Sequence, residues 1–266
     1  MSGPADASAP GSPEAASKGE RLQVVLARFG VASRRGVVEM IEAGRVSVNG
    51  EVVREKGHRV LSATDEIRLD GQVLGVAKPA RHRYFVLYKP KNVMTTLQDP
   101  HAEHTVADYF GDVPERLFPV GRLDRDTTGL LIVTNDGELA FRLTHPSYGI
   151  KKVYRVLVAG SVSDEKIKRL KKGVELEDGP TSPCEVILVG RRPDLSELTV
   201  ILHEGRKRQI RRIFEQVGHR VLELERVSYG PLTLAGMRPG QRRELRASEV
   251  SSLRRVTGLG RTPKTE

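Results

Sequence analysis

The chain has 266 residues, 38% of them hydrophobic, no tryptophan and one cysteine, Cys184, so one or two domains with modest cores fit it, and an internal disulfide or a thiolate zinc cluster is excluded. Lys and Arg outnumber Asp and Glu by 44 to 34, a formal net charge of +10 that favours a polyanion such as nucleic acid over an acidic small molecule. No apolar run reaches membrane-spanning length. The opening MSGPADASAPGSPEAAS lacks the basic start and apolar centre of a signal peptide, so residues 1–19 read as a disordered tail of a soluble, cytoplasmic chain.

From Glu20, Leu22, Val25, Leu26 and Phe29 recur at helical spacing, and Gly30 supplies a left-handed stop. Ser33 is the predicted N-cap of a second helix carrying Val37, Val38 and Ile41, which Gly44 ends. RVSVNGEVV follows, and Asn49-Gly50 between alternating valines predicts a type I′ hairpin. A strand over Glu66 to Leu69 and an Asp70-Gly71 turn complete a small helix-helix-hairpin domain over 20–74. Its second helix begins with Arg34 and Arg35, where backbone N–H groups already favour anions; this makes a phosphate-binding corner, the alternative being a solvated charge pair.

Residues 75–83, GVAKPARHR, read as a linker. Beyond it, strands are predicted over Tyr84–Tyr88, Leu130–Thr134, Val153–Val158, Glu185–Val189 and Glu197–Leu202, with helices over Glu138–Thr144, Asp164–Lys172 and Arg206–Val217. The mixture predicts an α+β domain over 84–257 with a mostly antiparallel mixed β-sheet and flanking helices, before a frayed tail over 258–266.

Two features carry chemistry. In RKRQIRRIFEQV the apolar stripe is Ile210, Ile213, Phe214 and Val217; a helical wheel turns Arg208 and Arg212 to solvent and sets Lys207 and Arg211 along the stripe's edge, where a half-desolvated guanidinium needs a carboxylate. Arg211 is therefore the site candidate, unless the whole helix lies on phosphate. The second feature is GRLDRDTTGLLIVTNDG, with Asp124 and Asp126 between arginines. A DxD pair can hold a divalent metal, but flanking cations and the lack of a third local ligand argue for no metal. Asp126, followed by Thr127, Thr128 and Gly129, suits a turn; Asp124 has no such local use and is favoured for chemistry, with Asp126 the alternative.

These segments together resemble the bacterial ribosomal pseudouridine synthases of the RsuA type. GRLDRDTTGLLIVTNDG is similar to the family's GRLDxxTxGLLLLTNDG, YKPKNVMTT to its N/YKPxG element with Asn92 in place of the glycine, KKVYRV to its KxYxV strand, and EGRKRQIRR to its EGRxxQ[IV][RK]R helix. VSYGPLTLAGMRPGQRREL resembles a further segment, and the N-terminal unit resembles an S4-like RNA-binding domain. The resemblance implies an enzyme that breaks the N-glycosidic bond of an rRNA uridine, turns the base and rejoins it through carbon, with no cofactor. It implies Asp124 as nucleophile, Tyr154 against the target base and Arg211 beside the carboxylate, with Arg122, Lys89, Lys207, Arg208, Arg34 and Arg35 on the RNA. The N-terminal segment looks closer to the large-subunit branch, so 23S rRNA, or an assembly intermediate containing it, is the expected partner of a monomeric enzyme; a 16S target and a non-catalytic RNA-binding protein of the same fold are the alternatives.

Overall fold

The computed structural model describes residues 19–74, 81–97, 99 and 101–260. The predicted N-terminal tail to residue 18, most of the predicted linker (75–80) and the end of the C-terminal tail (261–266) lie outside the described residues. The chain forms two units, divided between Arg81 and His82.

In the first unit, strand β1 (Glu20–Arg21) leads into helices α1 (Leu22–Arg28) and α2 (Arg34–Glu42). The Ser33 side chain accepts from the Gly36 N–H at 3.0 Å and caps α2 as predicted. Strands β2 (Val46–Val48) and β3 (Glu51–Val52) are joined by Asn49 and Gly50 at φ of +51° and +87°, the left-handed pair that a type I′ turn needs. After β4 (Arg59–Val60), which pairs with β1, come β5 (Ile67–Leu69) and β6 (Gln72–Leu74), and the main sheet has the order β3-β2-β5-β6. Leu22, Leu26, Val37, Ile41, Val46 and Ile67 from both helices and the sheet are fully or nearly buried together.

The second unit is built on a nine-stranded sheet. Its strands and helices in chain order are β7 (Tyr84–Lys89), β8 (Phe118–Pro119), β9 (Thr128–Thr134), α3 (Gly137–Thr144), β10 (Lys152–Ala159), α4 (Asp164–Lys172), the small pair β11 (Glu175–Leu176) and β12 (Gly179–Pro180), then β13 (Glu185–Arg191), β14 (Leu195–Leu202), α5 (Gln209–Gln216), β15 (Val221–Tyr229), β16 (Leu232–Thr233), β17 (Arg242–Glu244) and α6 (Ala247–Val256). The order is β13-β14-β10-β15-β9-β7-β17, with β16 on β15 and β8 on β9; every pair is antiparallel except β9 with β15. Alternation along each strand supplies two cores. Phe85, Leu87, Leu131, Val133, Val156 and Val200 face the side covered by α4 and α5, while Tyr84, Val86, Leu130 and Ile132 face α3 and α6. Leu130 to Val133 are therefore buried on both faces, about 1.5–3 kcal/mol for each side chain, which fixes the strand that carries the GRLD turn.

The longest elements not foreseen are β15 and α6. β15 escapes sequence reading because Glu223, Glu225 and Arg226 interrupt its apolar pattern, yet Glu225 and Arg226 are buried. Helix α6 buries only Leu253 and so leaves little periodic signal. Within the predicted frayed tail, Leu259 packs against the second core, a correction for residues 258–260.

Candidate active site

The site grows from the turn between β8 and β9. Gly121, at φ +72°, redirects the chain, and Leu123 is driven into the core at 5% exposure, so Asp124 is left at the rim with its side chain 34% exposed. Thr95 grips the backbone on both sides of Leu123: its Oγ1 donates to the Leu123 carbonyl at 2.6 Å and accepts from the Leu123 N–H at 3.2 Å. The Thr127 N–H closes the turn onto the Asp124 carbonyl at 3.1 Å. Asn92, where the resembling motif has glycine, sits at φ +65°, a left-handed position that asparagine tolerates, and its N–H donates to the Arg125 carbonyl at 2.8 Å.

Lys89 is the first correction. Expected on the RNA, it is fully buried at the end of β7, its Nζ donating to the carbonyls of Pro90 and Val93, both at 2.9 Å, and of Arg125 at 3.4 Å. Burial brings its pKa down to about 8, partly opposed by the charges of Asp126 and Asp124. Lys89 ties the YKPKN turn to the GRLD turn and presents nothing to a ligand.

The second side of the site comes from the segment before α5. The predicted helix over Arg206–Val217 begins only at Gln209, because Arg208 stands at φ +51° and cannot continue a helix backward. Gln209 is buried, its Nε2 bonded to Glu204 and its Oε1 to the Arg206 N–H at 3.1 Å, while Arg206 Nη1 donates to the Gly179 carbonyl at 2.9 Å. Leaving the helical wheel turns the Arg208 side chain toward the carboxylates: Nη1 lies 3.8 Å from Asp124 Oδ2 and 3.5 Å from Asp126 Oδ1. Arg212, also expected in solvent, pairs with Asp178. Lys207 is exposed rather than set at the stripe's edge.

Arg211 takes the edge position that the wheel predicts and is only 13% exposed. Its closest carboxylate is Asp126, with Nη2 2.9 Å from Oδ2, and Nη1 donates to the Val221 carbonyl at 3.1 Å. Burial lowers its pKa, and Asp126 opposes this more than Asp124 does. Asp126 thus lies in the turn as expected, but its carboxylate pairs with cations instead of capping backbone N–H groups. Asp124 keeps one longer ion-pair contact and is the less engaged of the two carboxylates.

The sheet floor is a register row: Lys89 opposite Gly129, Gly129 beside Arg226, Arg226 beside Tyr154, and Tyr154 beside Val200. Gly129, at φ +117°, lets β9 close onto the Arg226 backbone, where any Cβ would collide. Tyr154, 9% exposed, is two strand spacings from Gly129, roughly 10 Å. Arg226 is 2% exposed and donates from Nε to the Leu130 carbonyl at 2.7 Å, with its guanidinium 4.9 Å from the Tyr229 ring centre. Of the remaining sequence candidates, Arg122 is exposed beside the site, and Arg34 and Arg35 are exposed at the first turn of α2 in the other unit. Thr95 and Arg226 were missed; the first threonine of MTT and an arginine inside ELER carry no local cue to their contacts.

The RNA pseudouridylate synthase family model matches residues 83–216, and the S4 domain model matches 20–67. The chain is 43% identical over 244 residues to the ribosomal large subunit pseudouridine synthase B of Bacillus subtilis (strain 168), covering 91% of this chain and 98% of that protein. It is 40% identical over 245 residues to the protein of the same name from Yersinia pestis, covering 91% and 77%. A crystal structure of a pseudouridylate synthase superposes with a TM-score of 0.64 at 28% identity, covering 88% of this chain and 99% of the other.

Proposed function

From the premise that the chain belongs to the RNA pseudouridylate synthase family and carries an S4 domain, we propose that it converts a specific uridine of 23S rRNA to pseudouridine, with Asp124 as nucleophile. The large-subunit target rests on the names of relatives that match nearly the whole chain. The observation that carries the catalytic assignment is the unequal treatment of two neighbouring carboxylates. Asp126, although 48% exposed, is engaged by Arg211 at 2.9 Å and Arg208 at 3.5 Å, whereas Asp124, a third exposed, has only Arg208 at 3.8 Å.

The reaction is an isomerisation. The bond from C1′ to N1 of uracil breaks, the freed base turns, a bond from C1′ to C5 forms, and the C5 proton is lost while N1 gains one. Electrons balance without an oxidant, reductant or phosphate donor. The Asp124 carboxylate attacks C1′ as N1 leaves, and the C1′–O bond so formed breaks when C5 of the turned base displaces it; Arg208, 3.8 Å away, orients the carboxylate. Arg211 acts alongside it, holding Asp126 and adding positive potential from a partly desolvated position. A uracil stacked in a helix is out of reach of any of these groups, so the nucleotide must be extruded at a cost of a few kcal/mol. Arg122, exposed next to Leu123 and Asp124, is the side chain suited to fill the vacated space. The Tyr154 ring stacks on the extruded base, a contact of about 1–3 kcal/mol.

Arg34 and Arg35, with Lys207 and Arg208, hold phosphates, the substrate being naked 23S rRNA or an assembly intermediate, and the enzyme works as a cytoplasmic monomer. The test is pseudouridine mapping of rRNA from cells with and without this protein, followed by restoration with purified enzyme. One 23S position should disappear and return. Loss of a 16S position, or of none, would overturn the assignment.

A further inference from the structure

Helix α3 buries Leu139, Ala140 and Leu143 and turns Phe141 outward, where it is 55% exposed. The chain then builds on that ring instead of hiding it. His145, one turn on and exposed, lies 5.0 Å from Phe141 between ring centres, and Tyr148 lies 6.4 Å from Phe141 and 6.3 Å from His145. The Arg142 guanidinium sits 5.6 Å from the Tyr148 ring centre. Phe141 and His145 are exposed, whereas Tyr148, packed partly against the second core, and Arg142 are half-buried, so three rings and a guanidinium form one surface group in a chain with only 12 Phe and Tyr residues.

The group is held from several sides. The His145 ring nitrogen Nδ1 accepts from the Ser147 N–H at 3.3 Å, Gly149 ends the turn at φ +56°, and the Gly149 carbonyl meets His203 Nδ1 at 2.9 Å at the end of β14. Arg142 donates to the Thr257 carbonyl at 3.2 Å and pairs with Glu138 at 2.9 Å, which occupies the carboxylate of α3's first turn. The group also borders the site. Thr144, between Phe141 and His145, abuts the GRLD turn, so that a Cβ on Gly121 would stand 3.5 Å from Thr144 Cγ2. Exposed Arg122 follows directly.

We infer that Phe141, His145 and Tyr148 form a stacking platform for an unpaired nucleotide of the RNA flanking the target uridine. This rests on the proposed RNA-modifying reading and adds a contact outside the reacting centre. Exposed aromatic faces beside guanidinium groups bind single-stranded bases without regard to sequence, because each base has a π-face. A paired, stacked base offers no such face, so the occupant is a loop, bulge or melted-strand nucleotide. The charge is complementary, since Arg142 borders the Tyr148 ring and exposed Arg122 follows the glycine that abuts Thr144, in a chain of net charge +10.

The experiment uses the full chain with unmodified full-length 23S transcript. Phe141→Ala with Tyr148→Ala should raise Kd and KM about 5- to 150-fold, the range that one stacked base supplies. The kcat at saturating RNA should stay within about twofold, and the salt slope of binding should not change, because no phosphate contact is lost. Phe141→Tyr should retain wild-type affinity, whereas Phe141→Leu, which keeps apolar packing without a π-face, should not. Ultraviolet cross-linking of the wild-type complex should recover peptides containing Phe141 or Tyr148, a readout that survives if the double variant folds poorly. Wild-type Kd in the double variant, affinity restored by Phe141→Leu, or cross-links that avoid this peptide would overturn the platform. Wild-type enzyme that binds this RNA but converts no uridine would instead overturn the proposed reaction, and the binding arms would still decide the platform.

Discussion

The second unit's carboxylate turn and the first unit's helix α2 are both rich in arginine, yet the two groups of cations do opposite things. Around Gly121–Gly129, Lys89 serves three carbonyls, Arg211 serves Asp126 and Val221, and Arg206 and Arg212 are taken up by Asp178 and its neighbours. At α2, Arg34 and Arg35 are exposed, and among the described residues neither has a carboxylate within ion-pair distance. A net charge of +10 therefore overstates what is offered to RNA: buried cations organise the protein, and exposed ones beside a helix N-terminus remain available for phosphate. The contrast can be broken residue by residue.

The largest expected effect separates chemistry from binding inside the turn. Asp124→Asn should lower kcat by about 10⁴-fold or more, the scale for loss of a nucleophile, while Kd for 23S rRNA stays within about threefold. Appreciable turnover in that variant would move the role to Asp126. Next comes Arg211→Ala, expected to reduce kcat by about 10²–10³-fold through loss of one charge-stabilising donor, again with near-normal RNA affinity. If Kd rose as much as kcat fell, Arg211 would belong with the phosphate-binding cations and the contrast would fail.

How far the sequence discloses this arrangement depends on whether the cause is local. The Asn49-Gly50 turn, the Ser33 cap and the double-sided burial of Leu130 to Val133 are consequences of neighbouring residues, and they are readable as such. The edge position of Arg211 follows from helical periodicity and was readable too. Arg208 was not, because the wheel was carried through a residue whose left-handed backbone lies outside the helix. Lys89 defeats the ordinary expectation that lysine is solvated; its three carbonyl partners come together only when β7 and the GRLD turn are brought into register. β15 was hidden for a related reason: Glu225 is made tolerable in a buried strand by Tyr88 and Arg155, which are remote in sequence.

Lys89 also provides the third test. An unfolded chain holds its lysine near the ordinary 10.5, while the buried amine titrates at about 8. Between these values the unfolded state binds more protons, so this group's contribution to stability rises with pH across that window. Below about 8 both states are protonated, and the cost of burying the charge is present in full. Lys89→Met should be less stable than wild type throughout, because carbonyls lose their donor. The gap should widen by on the order of 2–3 kcal/mol between pH 7.5 and 10.5 as wild type is relieved of that cost and the variant is not. Denaturant unfolding at the two pH values measures it, and a constant gap would mean that the amine is not held as a desolvated charge. The salt slope of RNA binding should be unaffected.

The smallest effect falls on the exposed side of the contrast. Arg34→Glu with Arg35→Glu removes two cations from the first turn of α2 without touching its Ser33 cap, so the fold of that unit and the chemistry at the GRLD turn of the other should persist. If each arginine covers one phosphate, the slope of log K against log salt should become shallower by about 1.4–1.8, because two fewer counterions are released. The loss of affinity should be about tenfold near physiological salt and should shrink at higher salt, as expected for contacts that are screened. At saturating RNA, kcat should equal that of wild type. A lowered kcat with an unchanged salt slope would make these arginines part of how the substrate is presented to Asp124 and erase the division between cations that organise the protein and cations that hold the RNA.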